Sequence, residues 1–146
     1  LFNDLTRRDL SFLIKIIHNR TFVTGELIFH QGDPGIGLYI IRDGEVEIER
    51  ENAHKVKKVL ATFTKGDFFG ELALVDGEKR SASAIAKSAC KVSVIFKPDL
   101  DEFIEKYPRK GIKILTGISS IIALRLRKLN EDYFDLQYNV PEEKGK

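Results

Sequence analysis

Apolar residues follow three successive spacings along the chain. From Thr6 to His18 they recur at helical intervals, from Phe22 to Phe96 they alternate in short segments, and after Pro98 the helical interval returns. A period of three to four indicates a helix with one apolar face, whereas alternation indicates a strand with one solvated face. The pattern therefore predicts a helix, a run of strands and a helical end.

The middle region has the signature of a mainly β fold. Val46 and Ile48 alternate with glutamates, and Val92 and Val94 alternate with lysine and serine. Short strands at regular spacing favour a sandwich or barrel of jelly-roll type. Turn-forming residues separate the segments at Asp33-Pro34-Gly35, Asp43-Gly44 and Gly66-Asp67.

Helical segments flank the strands. Thr6 and Asp9 have the spacing of a capping box, and the helix that they begin is expected to end near His18. After the strands, we predict a short helix over 99–105, capped by its first residue, and a long helix over about 109–133.

The long helix has two apolar stripes. One has the heptad spacing of a coiled coil with a polar interruption at Ser119, and the other is shorter. We expect the strands to cover one stripe and a second subunit to cover the other, which gives a homodimer through residues 112–133. The simpler alternative is that the long helix packs only on the strands of its own domain. The stripes are Ile112, Leu115, Ser119, Ile122, Leu126, Leu129 and Tyr133, and Ile114, Ile118 and Ile121.

Length and composition narrow the class of protein. The 146 residues fit one domain, expected over 1–133, followed by a flexible charged tail over 134–146. A net charge of +2 indicates neither nucleic acid nor a membrane surface, and no run reaches the length of a membrane span. The single cysteine, Cys90, excludes an internal disulfide and fits a reducing cytoplasm.

Residues for metal binding and catalysis are scattered. His18, His30 and His54 are isolated, and none has the paired spacing of a metal site. There is no nucleophile elbow and no Walker-type loop. We therefore expect neither a metal nor an enzyme, and a metal-dependent enzyme on a jelly-roll fold is the weaker alternative.

The stretch over 69–83 has the features of a phosphate site. Gly70 permits close approach of a ligand to the backbone, and the next residues favour a helical turn whose first amides are free to bind an anion. Arg80 follows a turn and supplies a forked, charged donor. Glu71 would repel a phosphate, but it accepts hydrogen bonds from a hydroxyl. The stretch therefore favours a sugar phosphate; alternatively, Glu71 is a helix-start acid and Arg80 a solvated charge.

The same residues carry a family resemblance. Phe69-Gly70-Glu71-Leu72-Ala73-Leu74, followed by Arg80-Ser81-Ala82-Ser83, resembles the phosphate-binding cassette of cyclic nucleotide-binding domains. The resemblance extends over about 5–130. It implies an antiparallel β-roll, a jelly-roll-like double-stranded β-helix, with an N-terminal helix, a cassette helix and two C-terminal helices. It also implies that Glu71 binds the ribose 2′-hydroxyl and Arg80 the cyclic phosphate.

The resemblance extends these roles to the rest of a ligand site. The last helix is expected to cover the base from the region Arg125–Asn130, whereas Arg125 and Arg127 are otherwise interpreted as solvated helix charges. The expected ligand-binding residues are Leu60, Ala61, Phe69, Gly70, Glu71, Leu72, Ala73, Arg80, Ser81, Ala82 and Asn130.

Ser81 bears on the choice of nucleotide. In the family, a threonine at this position is associated with cyclic GMP, so serine favours cyclic AMP, with cyclic GMP as the alternative. The implied function is a cytoplasmic sensor that couples cyclic nucleotide binding to movement of its C-terminal helix. Two other interpretations stay open: a non-binding scaffold that assembles through this helix, and the sensor half of a transcription regulator whose DNA-binding part is missing.

Overall fold

The computed structural model describes residues 6–139, and its elements follow the predicted order of helix, strands and helices. The helices are α1 (Arg7–Ile14), α2 (Leu72–Asp76), α3 (Lys97–Lys106) and α4 (Pro108–Asn139). The strands are β1 (Ile17–Phe22), β2 (Leu27–Phe29), β3 (Gly37–Asp43), β4 (Val46–Glu51), β5 (Lys57–Phe63), β6 (Phe68–Phe69), β7 (Ser83–Ala86) and β8 (Cys90–Phe96).

Two four-stranded antiparallel sheets form the body of the fold. Their strand orders are β1-β8-β3-β6 and β2-β7-β4-β5, so each sheet joins strands that are distant in sequence. In the first sheet, Val94 of β8 lies opposite His18 on one side and Tyr39 on the other. The predicted antiparallel β-roll with flanking helices is confirmed, as two sheets rather than one closed barrel.

The hydrophobic core has two parts. One lies between the sheets and includes Ile41, Val46 and Phe69, together with the buried thiol of Cys90. The other lies beneath the helices and consists of Leu13, Leu38, Phe68, Leu74, Ile95, Leu100, Phe103, Ile114 and Ile118. Because the short strand β6 contributes Phe68 to one part and Phe69 to the other, the residues that follow it are anchored on both sides.

The N-terminal helix starts as predicted but ends earlier. Thr6 Oγ1 accepts from the Asp9 amide and Asp9 Oδ2 accepts from the Thr6 amide, both at 3.1 Å, which completes the capping box. The helix ends at Ile14 because Ile17 begins β1, where it pairs with Ile95. The apolar residues near the predicted end belong to a strand, since β-branched side chains pack well there.

The start of α3 also differs from the prediction. The helix begins at Lys97, with Phe96 at the N-cap position and Pro98 in the first turn, where a proline is preorganised for the helix. Asp99 is therefore inside the helix and does not cap it. Its carboxylate instead lies 3.1 Å from His18 Nε2 of β1, which ties α3 to the first sheet.

The long helix extends past its predicted end at Tyr133 and reaches Asn139. Its sequence contains no proline between the first residue and Pro141, and no glycine after Gly117, so nothing breaks it earlier. Ile114 and Ile118 of the shorter stripe are fully buried against the roll, as predicted. The heptad stripe is largely exposed, and its cover by a second subunit stays a prediction. Residues 140–146 of the predicted tail lie outside the described part.

Two sequence expectations concern membranes and metals. Across residues 6–139, no helix combines the length and the apolar character that crossing a bilayer requires. In the same part of the chain, no three His, Cys, Asp or Glu side chains cluster as metal ligands would.

Candidate ligand-binding site

A cavity of about 310 Å³ opens between the second sheet, the segment around α2, and α4. All but two of the residues predicted to bind a ligand line it. They are Ala61, Phe69, Gly70, Glu71, Leu72, Ala73, Arg80, Ser81 and Ala82. The fold therefore brings Ala61 of β5 together with most of the cassette around one pocket.

Gly70 makes the turn from β6 into α2. Its φ of +78° is in the left-handed region, which glycine adopts without steric cost. A Cβ built there would lie 2.7 Å from Nη1 of Arg80 and 3.0 Å from the carbonyl oxygen of Gly37. The absent side chain thus leaves room for the arginine. The first residues of α2, Leu72 and Ala73, line the cavity, and the first amides of a helix have no intrahelical partner.

Arg80 lies at the bottom of the pocket and is only 7% exposed, so the alternative of a solvated surface charge is wrong. Nη1 donates to the carbonyl oxygen of Gly70 at 3.0 Å and Nη2 to that of Gly37 at 2.6 Å. The guanidinium lies 4.2 Å from the centre of the Phe29 ring. Arg80 is thereby fixed in one orientation by neutral groups.

The charge of Arg80 lacks full compensation. Its Nε is buried and has no hydrogen-bond partner within residues 6–139. Burial lowers the pKa of the guanidinium below its ordinary value, while Tyr39, Glu71 and Asp33 act in the opposite direction. A buried cation whose bonded partners are neutral carbonyls is costly, so a bound anion would stabilise it. This arrangement is suited to holding a small anion.

Glu71 lies on the pocket wall and is 8% exposed. Its Oε1 accepts a hydrogen bond from Nη1 of Arg125 at 2.5 Å. Arg125 also donates to the carbonyl oxygen of Phe68, and its guanidinium lies over the rings of Phe63 and Phe68. The interpretation of Arg125 as a solvated helix charge is therefore wrong, because α4 passes the pocket and brings this side chain to the carboxylate.

Two predicted residues lie elsewhere. Leu60 is 53% exposed and points away from the cavity, because its neighbour Ala61 points inward and successive side chains of a strand alternate. Asn130 is exposed on α4 beside Glu131 and Phe134, outside the cavity and more than one helical turn beyond Arg125. The structure thus replaces Asn130 by Arg125 as the polar residue that α4 brings to the site.

The cavity also contains apolar residues that the sequence analysis missed. Phe29, Ile48 and Phe63 line it beside Ala61. Ile48 lies opposite Ala61 in the β4–β5 pairing, so a known strand register would have predicted its place. Phe63 is two residues after Ala61 and shares its face. The pocket is thus apolar on the side of the second sheet and charged on the side of α2, which suits a ligand with both characters.

The fold is a β-roll, and its cavity combines a buried cation with apolar walls, an arrangement that suits a small anionic ligand with an apolar part. Residues 19–107 match the family model described as cyclic nucleotide-binding domain. The chain therefore belongs to the cyclic nucleotide-binding domain family, which confirms the resemblance seen in the cassette.

Several proteins are similar to this chain. The chain is 30% identical over 128 residues to the cyclic AMP receptor protein of Thermus thermophilus, which covers 88% of this chain and 57% of that protein. It is 42% identical over 96 residues to a cAMP-dependent protein kinase regulatory subunit of Emericella nidulans, over 66% of this chain and 20% of that subunit. It also resembles the crystal structure of the Thermus thermophilus catabolite activator protein, with a TM-score of 0.78 and 28% identity, over 94% of this chain and 62% of that one. The chain thus spans less than two thirds of the length of each.

Proposed function

We propose that this domain is a sensor that binds a cyclic nucleotide, cyclic AMP in preference to cyclic GMP, without catalysing a reaction. The buried and incompletely paired guanidinium of Arg80 carries the proposal. A cyclic phosphate has one negative charge, which Arg80 and the first amides of α2 would bind, with Ser81 assisting. The ribose hydroxyl would donate to Glu71, and the base would pack on the apolar side of the pocket.

Two observations support cyclic AMP as the ligand. Ser81 lines the cavity and has the hydroxyl but not the methyl group of the threonine that the family associates with cyclic GMP. Two of the named relatives, at 30% and 42% identity, carry cyclic AMP in their names. Competition between the two nucleotides tests this choice, and cyclic GMP binding more than about tenfold tighter would overturn it.

Calorimetric titration of the wild type and of Arg80→Ala tests the proposal as a whole. Removing the buried partner of a phosphate is expected to cost about 3–5 kcal/mol, which weakens binding at least about a hundredfold. Arg42→Ala is the matched control, because Arg42 is exposed on β3 and outside the cavity. An Arg80→Ala dissociation constant within about threefold of the wild-type value would contradict the assignment of Arg80.

We also propose that the domain forms a homodimer through the heptad stripe of α4. Ile112, Leu126, Leu129 and Tyr133 are each more than half exposed, which leaves a long apolar face unpartnered in the single chain. Leu136 continues the heptad spacing beyond the predicted seam and is equally exposed. A nucleotide that changes the position of α4 would alter this interface, and so pass its signal to the second subunit.

The same exposed stripe favours the scaffold interpretation as the second candidate function. A domain that dimerises through α4 but binds neither cyclic nucleotide in the titration would support the scaffold and refute the sensor. The sensor half of a transcription regulator is compatible with the match to the Thermus receptor. This interpretation is tested by measuring whether the full-length protein binds DNA and whether cyclic AMP changes that binding.

A further inference from the structure

The small net charge of the chain, which by itself indicates no membrane surface, conceals an uneven distribution of charge. Asp9 joins α1 to the start of α4, because its carboxylate lies 3.6 Å from Nζ of Lys110 and 3.3 Å from Nζ of Lys113. Residues 7–15 and 108–115 together contain six cations and one acid, a net charge of +5 in a chain whose total is +2. We call this surface the basic face, and its cations are Arg7, Arg8, Lys15, Arg109, Lys110 and Lys113.

The outer side of α1 is basic and contains one apolar residue. Asp9 and Leu13 point inward and are buried, whereas Ile14 is 65% exposed. With about 3.6 residues per turn, the exposed positions lie together on one side of the helix. Cations around an apolar side chain on a helix are typical of segments that lie in the headgroup region of a bilayer. The exposed residues are Arg7, Arg8, Ser11, Ile14 and Lys15.

An aromatic pair holds two lysines of the basic face in place. The rings of Phe12 and Tyr107 are 4.9 Å apart, centre to centre. Nζ of Lys15 lies 5.1 Å from the centre of the Phe12 ring, and Nζ of Lys110 lies 4.9 Å from the same point. The rings thus cover the apolar stems of the lysines, while the ammonium groups stay at the surface. Because the rings are already packed and covered, they provide a poor platform for stacked nucleic-acid bases.

Nearby acids do not cancel this charge. Asp9 is only 8% exposed, and its Oδ2 also accepts from the amide of Thr6. On α3, Glu102 and Glu105 lie within one turn of Lys106, so that helix adds no net positive charge. The excess positive charge therefore comes from α1 and the start of α4.

We propose that the basic face docks this domain on the surface of an anionic lipid bilayer, with Ile14 inserted among the headgroups. Four to eight Lys and Arg on an amphipathic helix or beside a membrane are typical of binding to anionic lipids. The rest of the chain is net negative, so the field of such a bilayer turns the domain with its basic face toward the lipid. This docking goes beyond nucleotide sensing, since none of the six cations lines the cavity.

Flotation of the wild-type protein with lipid vesicles tests the proposal. One set of vesicles is phosphatidylcholine alone, and the other contains about 30% phosphatidylserine, a headgroup that makes the surface negative. We expect binding to the second set only. This binding is expected to fall when the salt concentration rises from about 0.05 M to about 0.5 M, because salt screens exposed charges.

Two double variants with the same loss of charge locate the contact. Arg8→Gln combined with Lys15→Gln is expected to weaken binding to the phosphatidylserine vesicles at least about tenfold. Lys57→Gln combined with Lys58→Gln is the matched control, because both lysines are exposed on β5 at the edge of the second sheet, and it is expected to stay within about twofold of the wild type. Both variants keep Lys110 and Lys113, which hold Asp9, and an unchanged thermal midpoint confirms that each is folded.

Ile14→Ser tests the insertion at constant charge. It is expected to weaken binding about threefold or more, since the inserted side chain contributes apolar area that the charges do not. Binding by Ile14→Ser equal to that of the wild type would overturn the insertion.

Three further results would overturn the docking itself. The first is a wild-type protein that fails to bind phosphatidylserine vesicles at low salt, or that binds both kinds of vesicle equally. The second is an equal loss from the two double variants, which would mean a general attraction without a defined face. The third is tighter binding to a single-stranded oligonucleotide or to polyglutamate than to the vesicles at the same salt concentration, which would assign the face to that partner.

Discussion

Replacing Gly70 by alanine perturbs the site through its backbone and through Arg80 together. The φ of +78° costs an alanine about 1–2 kcal/mol, because its Cβ crowds the adjoining carbonyl in the left-handed region. The new Cβ would also lie 2.7 Å from Arg80 Nη1, well inside van der Waals contact. The guanidinium must therefore shift, and the loss of one well-aligned charge-assisted bond to a phosphate is worth about 1.5–3 kcal/mol.

Gly77→Ala is the matched control for the backbone part of this effect. Gly77 ends α2 with a φ of +67°, and a Cβ built there meets nothing within 4 Å. Both variants are therefore expected to lose about 1–2 kcal/mol in the free energy of unfolding, measured in urea. Only Gly70→Ala is expected to weaken cyclic AMP binding, by at least about tenfold in a calorimetric titration.

The reasoning would be refuted by either of two results. If Gly70→Ala binds cyclic AMP as tightly as Gly77→Ala does, the position of Arg80 does not depend on the missing side chain. If both variants lose binding equally, the effect comes from a general loss of stability rather than from the contact with Arg80. A thermal midpoint for each variant, expected to fall by several degrees, confirms that the backbone cost is present.

Further predictions concern α4 and the N-terminal cap. Leu126→Glu combined with Leu129→Glu is expected to give a monomer that still binds nucleotide, and sedimentation of a wild-type monomer at high concentration would reject the dimer. Cyclic AMP is expected to change hydrogen exchange over residues 109–133, and identical exchange with and without it would reject coupling to α4. The hydrogen bond from the Thr6 amide holds the pKa of Asp9 below its ordinary 3.8, with further help from the Thr6 hydroxyl and Lys113, against partial burial. A lowered pKa stabilises the fold above the unfolded pKa, and this contribution is lost as pH falls through the folded pKa. Asp9→Asn is therefore expected to have a lower thermal midpoint than the wild type at pH 7, and the gap should narrow below about pH 4; a constant gap would contradict this assignment.

Local patterns predicted those parts of the site that are contiguous in sequence. The cassette could be predicted as one unit because a strand end, a glycine turn and a short helix keep neighbouring residues together. Arg80 belongs to it because the turn at Gly77 returns the chain to the pocket. Alternation predicted strands of a jelly-roll type of fold, because it reports the buried face of each strand without its partners, and the antiparallel β-roll was implied by the family resemblance.

Residues that reach the site through tertiary packing could not be placed in the same way. Leu60 and Ala61 are neighbours on β5 and point to opposite faces of the strand. Which of them faces the cavity depends on the register with β4. Arg125 and Asn130 are both polar residues of one helix, and only the docking angle of α4 decides which one meets Glu71. At the other end of the chain, Ile17 fits a helical face as well as a strand, and its pairing with Ile95 settles the choice.

The anchoring of β6 has a consequence for transplanting the motif into another protein. Phe68 and Phe69 reach opposite halves of the core, Arg80 is held in part by Gly37 of β3, and Glu71 is held by Arg125 of α4. A graft of residues 69–83 onto a foreign loop would carry the recognisable sequence but none of these supports. The motif can therefore be recognised in a short stretch of sequence. The binding site that it marks depends on contacts from the whole domain, so it is not expected to form when the motif alone is transferred.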